Sequence, residues 1–130
     1  MRLHHVGIAT DDVVATALLF EELFETPICH REQYEGLEIR FLQLPDGYLE
    51  LIEPTGDGTV ARFLDRSGPG LHHLGFVVED IDAALTTAVD LGITPIDQTA
   101  RQGAWGHEVA FLHPEDTAGI LIEFVSLEDG

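Results

Sequence analysis

The stretch Leu3-His4-His5-Val6-Gly7-Ile8-Ala9 decides how this chain is read, because Leu71-His72-His73-Leu74-Gly75-Phe76-Val77 repeats it 68 positions later (73 − 5). At the same offset His4 matches His72, His5 matches His73, Gly7 matches Gly75, Asp12 matches Asp80, Ala15 matches Ala83 and Leu23 matches Leu91. Thr26-Pro27-Ile28 likewise matches Thr94-Pro95-Ile96. A gap-free register of this kind marks an internal duplication rather than compositional chance. One histidine-bearing strand and the helix after it are used twice.

Working outward from the first copy, residues 3–9 alternate as a strand does and run into Thr10-Asp11-Asp12, residues suited to capping a helix. Val13, Ala17, Phe20 and Phe24 then form one apolar stripe at helical spacing, and Pro27 lies just past its end. Strands are expected near 27–32, 37–44 and 48–53, with Pro45-Asp46-Gly47 turning between the last two. Pro54-Thr55-Gly56-Asp57-Gly58 and Ser67-Gly68-Pro69-Gly70 flank a short amphipathic piece carrying Val60, Phe63 and Leu64, the pattern of a connector. The second copy predicts a strand at 71–78 and a helix capped at Asp80. Ile81, Ala84, Leu85, Ala88 and Leu91 are expected to face inward from that helix, and Gly92 to stop it. Strands near 93–98, 106–112 and 119–125 complete the copy.

The expected fold is α+β: two βαβββ repeats forming an eight-stranded cup with helices outside. It reads as a single domain over 1–130, with repeat one at 1–54, a connector at 55–70 and repeat two at 71–130. Neither four-stranded sheet hides both faces alone, so shared burial is expected, and a cup is where a small-molecule site forms.

Composition narrows the function. The chain has 24 Asp+Glu against 6 Lys+Arg, a formal net charge of −18, and every basic residue is an arginine (Arg2, Arg31, Arg40, Arg62, Arg66, Arg101). Phosphate binding needs clustered positive charge, so neither nucleic acid nor an anionic membrane is an expected partner. Self-repulsion of this size is relieved by salt, and the surface reads as adapted to a salt-rich, halophilic-type cytoplasm. Cys29 is the single cysteine, which rules out an intramolecular disulfide and suits a reducing interior. With no apolar run near ~18 residues and no signal-peptide pattern at the N-terminus, a cytoplasmic location is expected.

The last strand of each repeat carries a glutamate in matched context, Leu49-Glu50-Leu51 and Ile122-Glu123-Phe124. Each repeat therefore offers one histidine and one glutamate, 45 residues apart in the first (50 − 5) and 50 in the second (123 − 73). Taken singly, a strand histidine or glutamate is more often an ordinary hydrogen-bonded or solvated residue. Repetition in register changes that balance and makes His5, Glu50, His73 and Glu123 a candidate set. Two imidazoles and two carboxylates suit a divalent transition metal, and a six-coordinate ion would keep two positions for water or substrate. Alternation turns His4 and His72 away from His5 and His73, so both read as structural. His107 reads as a strand-edge residue, with polarising or binding a substrate as the alternative. Trp105, in a glycine-flanked loop, either touches ligand or packs. His30 and His113 read as surface or core residues.

With those residues in place, the chain resembles the vicinal oxygen chelate (glyoxalase/bleomycin resistance/dioxygenase) superfamily over nearly its whole length. Within it, Leu3-His4-His5-Val6-Gly7-Ile8-Ala9, Glu50-Leu51-Ile52-Glu53-Pro54, Gly70-Leu71-His72-His73, and the stretch from Gly103-Ala104-Trp105-Gly106-His107 to Gly119-Ile120-Leu121-Ile122-Glu123 are similar to the methylmalonyl-CoA epimerase family. The resemblance implies an isomerase that inverts the α-carbon of methylmalonyl-CoA through an enolate. It also implies one divalent metal (cobalt, zinc, nickel or manganese), an acyl-CoA substrate and a homodimer. It assigns one proton-transfer role to Glu123 and a second to a glutamate on the third strand of repeat one. Counted from Gly36 that position is Ile39, and the nearest carboxylate, Glu38, is one residue early. A one-residue slip puts a strand side chain on the opposite face, so either a β-bulge re-aims Glu38 as the second catalytic residue, or another group serves, or the reaction differs. The alternative within the superfamily is lactoylglutathione lyase, whose proton shuttle can run with one base. A non-catalytic small-molecule binding protein is the further alternative, disfavoured by the intact ligand set.

Overall fold

The computed structural model describes residues 1–127. They divide into two compact units, His5–His72 on one hand and Met1–His4 with residues from His73 onward on the other, so the first strand, β1 (Arg2–Ala9), contributes to both. The first unit adds α1 (Val13–Phe24), β2 (Ile28–Tyr34), β3 (Leu37–Leu44), β4 (Gly47–Pro54) and α2 (Thr59–Ser67). The second half of the chain supplies β5 (Gly70–Val77), α3 (Ile81–Asp90), β6 (Arg101–Gln102), β7 (Glu108–Leu112) and β8 (Ile122–Ser126). The βαβββ unit is present twice, as the duplicated motif predicts.

Strand order repeats as well. The first half runs β2-β3-β4-β1 and the second β6-β7-β8-β5. In each, the opening strand lies parallel to the last one and the remaining pairs are antiparallel.

Each helix covers one face of its own strands. Val13 and Ala17 of α1 pack on Leu42 and Leu51, with Ile8, Phe20, Ile28 and Leu49 around them. Ile81, Leu85 and Ala88 of α3 pack on Ala110, Leu112 and Phe124. Leu42 and Leu51 are wholly buried, and removing each such side chain from water stabilises the fold by about 1.5–3 kcal/mol. Both helices start as read from sequence: the Asp12 carboxylate accepts the Ala15 N–H at 3.0 Å and Asp80 accepts the Ala83 N–H at 3.2 Å. Caps of this type contribute about 1 kcal/mol each. Glu53 reaches across from β4 to take the Val13 N–H at 2.7 Å, a second cap that comes from the sheet.

Four expectations change. Leu91, read as inward, is 73% exposed, because α3 ends at Asp90 and Gly92 takes a left-handed φ of +86°. Phe24, at the end of its stripe, is likewise exposed. The strand expected near 93–98 is reduced to one bridge, Pro95 to Leu112. Pro95 has no N–H for a ladder, and the Asp97 carboxylate takes the Phe111 N–H at 2.9 Å. The edge of that sheet is instead Arg101–Gln102. Finally, β8 begins at Ile122 rather than 119, since Ala118 and Gly119 turn through left-handed φ values of 60° and 82°.

Candidate metal centre

In the first unit, β1 pairs with β4 so that Gly7 stands opposite Glu50, and β4 pairs with β3 so that Glu50 stands opposite Phe41. Residues directly opposite in a ladder point to the same face, and alternation carries His5, two residues before Gly7, to that face too. This is the face that α1 does not cover. His5 Nε2 lies 3.4 Å from Glu50 Oε1, and both residues are buried. The His5 ring meets Phe41 edge-on at 6.4 Å between centroids.

The second half builds the same arrangement from different residues. Gly75 stands opposite Glu123, and Glu123 opposite Phe111. His73 Nε2 lies 3.3 Å from Glu123 Oε1, again with both residues buried. Its ring meets Phe111 edge-on at 5.8 Å. Each half thus presents a buried imidazole–carboxylate pair, walled by a phenylalanine and placed beside a glycine that has no side chain to fill the space.

The donors suit a metal. Buried ionisable groups are expensive unless paired or metal-bound, and His5, His73 and Glu123 qualify as ligands by type and burial. The spacing of each pair adds to this. Two donors each about 2.1 Å from one ion, at angles between octahedral and tetrahedral, stand about 3.0–3.4 Å apart. The observed 3.4 Å and 3.3 Å fall at the upper end of that span.

The other candidate residues sort by face. Glu38 lies opposite Glu53 on β4 and Gln33 on β2, on the α1 side and away from Glu50. Its carboxylate is held by the Gln33 amide and by Arg40 at 3.2 Å. The Gln33 hydrogen bond first, and Arg40 second, push it below the usual carboxylate range. The register of β3 with β4 is unbroken from Leu37 to Leu44, so β3 has no bulge to re-aim Glu38. Ile39, the position the resemblance points to, is fully buried on the Glu50 face. Arg31 and Arg40 pair with each other and share the Glu38 face. Arg101 differs from them. It stands opposite Val109 and places its guanidinium 5.6 Å from the centre of the Phe111 ring, on the Glu123 face, with Asp97 at 3.0 Å.

His4 is buried and meets His107 edge-on at 5.6 Å, and Trp105 lies 6.1 Å from His107. Trp105 also has a left-handed φ of 62°, a strained conformation for a bulky residue. His72 packs edge-on against Phe63 at 5.0 Å. These placements fit the structural reading of His4 and His72. His113 is exposed, and His30 is half-buried beside Glu32 at 2.8 Å. Arg101 is one of the arginines, with Arg31, Arg40, Arg62 and Arg66, that the sequence offers to a polyanionic substrate, whereas nothing in the sequence singled out Phe41 or Phe111 as site residues, although alternation from the two glutamates and their flanking strands carries the signal for both phenylalanines.

The chain is similar to known proteins in sequence and in fold. Residues 4–111 match the family model of the Glyoxalase/Bleomycin resistance protein/Dioxygenase superfamily. The uncharacterized protein YqjC of Bacillus subtilis is 36% identical, the match covering 94% of this chain and 89% of that protein. The ethylmalonyl-CoA/methylmalonyl-CoA epimerase of Cereibacter sphaeroides is 35% identical, covering 94% of this chain and 95% of the relative. A solved Streptomyces coelicolor methylmalonyl-CoA epimerase in complex with 2-nitronate-propionyl-CoA superposes with a TM-score of 0.93 at 32% identity, covering 97% of this chain and 94% of that one. On the family match and on a βαβββ unit built twice around matched histidine–glutamate pairs, the chain belongs to the Glyoxalase/Bleomycin resistance protein/Dioxygenase superfamily.

Proposed function

We propose that this chain is a metal-dependent isomerase that epimerises methylmalonyl-CoA at its α-carbon. The observation that carries the reading is the matched pair of buried donors, His5–Glu50 and His73–Glu123, at 3.4 Å and 3.3 Å. It is supported by a relative named for this activity that aligns over 94% of the chain. In this reading His5, Glu50, His73 and Glu123 are the ligands of one divalent ion, which could be cobalt, zinc, nickel or manganese. When bound, the metal supplies fixed positive charge beside the thioester oxygen, where negative charge develops on proton loss.

The chain's own residues do the rest. Glu123, buried beside His73, holds or releases the α-proton on one face of the substrate. Phe41 and Phe111 keep water from the carboxylates they stand opposite, which strengthens every charge interaction there. Arg101 is the arginine placed to receive an anionic group of an acyl-CoA, because it shares the Phe111 face. Chains act in pairs as a homodimer, in the cytoplasm.

The test is α-proton exchange. Metal-loaded protein incubated with one epimer of methylmalonyl-CoA in D2O should replace the α-hydrogen and yield the other epimer, followed by proton NMR. Absence of both, with turnover of the methylglyoxal–glutathione adduct, would replace this reading by lactoylglutathione lyase. That second reading is favoured by one observation, the buried Ile39 where a second carboxylate is expected.

A further inference from the structure

We infer that Glu32, held by His30, supplies the second proton-transfer group of the epimerisation proposed above, taking the role left vacant at Ile39. The inference rests on that reading and on the register of β2. Between Ile28 and His30 the β2–β3 pairing slips: Ile28 stands opposite Leu42, yet His30 stands opposite Phe41. Two residues of β2 therefore answer one of β3, which is a β-bulge. Ile28 packs into the α1 core with Leu42. In an unbroken strand His30 and Glu32 would follow it to that face. The bulge turns them over.

After it, His30 faces with Phe41 and Glu32 with Ile39, which is the face of Glu50 and His5. Bulges of this sort re-aim side chains beside active sites. The re-aiming expected of β3 is therefore found one strand away. Among the described strand residues of this unit, Glu32 and Glu50 are the carboxylates on that face. Glu32 is the direct cross-strand neighbour of Ile39.

The surroundings suit an acid–base group. His30 Nε2 lies 2.8 Å from Glu32 Oε1, and the side chains are 26% and 23% exposed, so the pair is positioned yet open to solvent. The His30 ring packs against Phe41 at 5.8 Å, and Phe41 in turn meets His5 at 6.4 Å. Packing is thus continuous from the dyad to the proposed ligand. In one direction the Glu32 carboxylate takes the α-proton, the C–H pair becoming the enolate π bond, and the Glu123 carboxylic acid returns a proton to carbon on the opposite face. Glu32 then loses its proton to water and Glu123 regains one. The reverse direction exchanges the roles. His30 is a positioning residue that fixes Glu32 and does not itself touch carbon.

The experiment compares metal-loaded wild type with Glu32→Gln, each supplied separately with the two epimers in D2O. Both α-deuteration and inversion are read by NMR, and folding by circular dichroism melts. Inversion by Glu32→Gln is expected to fall by at least about 100-fold, the span of one acid–base group. Deuterium exchange without inversion should persist from the one epimer whose α-hydrogen faces Glu123. His30→Ala should lower inversion while leaving that one-sided exchange, and His30→Gln, which keeps an N–H donor, should recover part of it. Inversion by a folded Glu32→Gln within about three-fold of wild type would overturn the inference and leave the epimerase reading intact. Equal loss of exchange from both epimers would overturn it too. Wild type that neither exchanges nor inverts would remove the epimerase reading itself, and the inference with it.

Discussion

Replacing His5 and Glu50 together by leucine should stabilise the metal-free protein while abolishing its stabilisation by metal. Their side chains are 5% and 7% exposed and lie 3.4 Å apart, so folding withdraws an imidazole and a carboxylate from water. A buried polar pair is costly to desolvate, and well-packed apolar residues of similar volume often stabilise such sites by about 1–4 kcal/mol. Leucine suits both positions, since Phe41 already packs against His5 and both side chains are buried. A chain of this size melts roughly 3–5 °C higher per kcal/mol, so the gain in chelator should be at least about 3 °C. Metal reverses the order. At 100 times Kd a bound ion adds about 2.7 kcal/mol, roughly 10 °C for wild type, and nothing for the double variant. Thermal melts in chelator and in saturating zinc or cobalt provide the assay. A double variant that melts lower than wild type in chelator would show the pair to be a net stabiliser of the fold. A metal shift retained at full size would show that it is not a ligand pair.

Three other outcomes follow from the structure. A Cβ added at Gly103 would stand 2.7 and 2.8 Å from the two γ-methyls of Val109, which is 3% exposed, so Gly103→Ala should cost about 1–3 kcal/mol in urea denaturation. With a formal net charge of −18, the melting temperature should rise from 0.1 M to 1 M salt, as the screening length falls from about 10 Å to about 3 Å; an unchanged melt would remove the salt-adaptation argument. The Glu38 carboxyl is depressed below its ordinary 4.5, chiefly by Gln33 and then Arg40. A depressed acid contributes stability above its ordinary value and loses it as pH falls through the folded value. Glu38→Gln should therefore be slightly less stable than wild type at pH 7, with the difference vanishing as pH falls through the depressed value, and pH-dependent melts check the sign.

Much of the site was legible because the duplication holds its register through the segments that matter first. Asp12 and Asp80 cap helices as read, and His5 and His73 fall on matched strands. The match decays later in each copy: the two glutamates are 73 apart (123 − 50) and the two phenylalanines opposite them 70 apart (111 − 41), against 68 at the start. Loop lengths between β-strands therefore hid the Phe41–Phe111 correspondence, although each glutamate and its phenylalanine meet in the ladder. The conflict between Glu38 and Ile39 was legible from the resemblance, which sets the expected position at Ile39, together with alternation, which turns Glu38 to the other face. Its resolution was not, because a bulge is a property of backbone pairing that no residue type in Ile28-Cys29-His30 announces, and without it Glu32 counts to the wrong face. The strand expected at 93–98 failed for a related reason, since β-like composition there gave way to Pro95 and the side chain of Asp97.

The proposed ligation of one metal ion by His5, Glu50, His73 and Glu123 is tested most directly by metal content measured against protein. Wild type, His5→Ala/Glu50→Ala and His73→Ala/Glu123→Ala should each be loaded, desalted and assayed by plasma emission. The account predicts one equivalent per chain in wild type and near none in either double variant, because each removes half of one coordination sphere. Two equivalents in wild type, or one retained after either pair is lost, would show that the pairs bind independently and would contradict the shared centre.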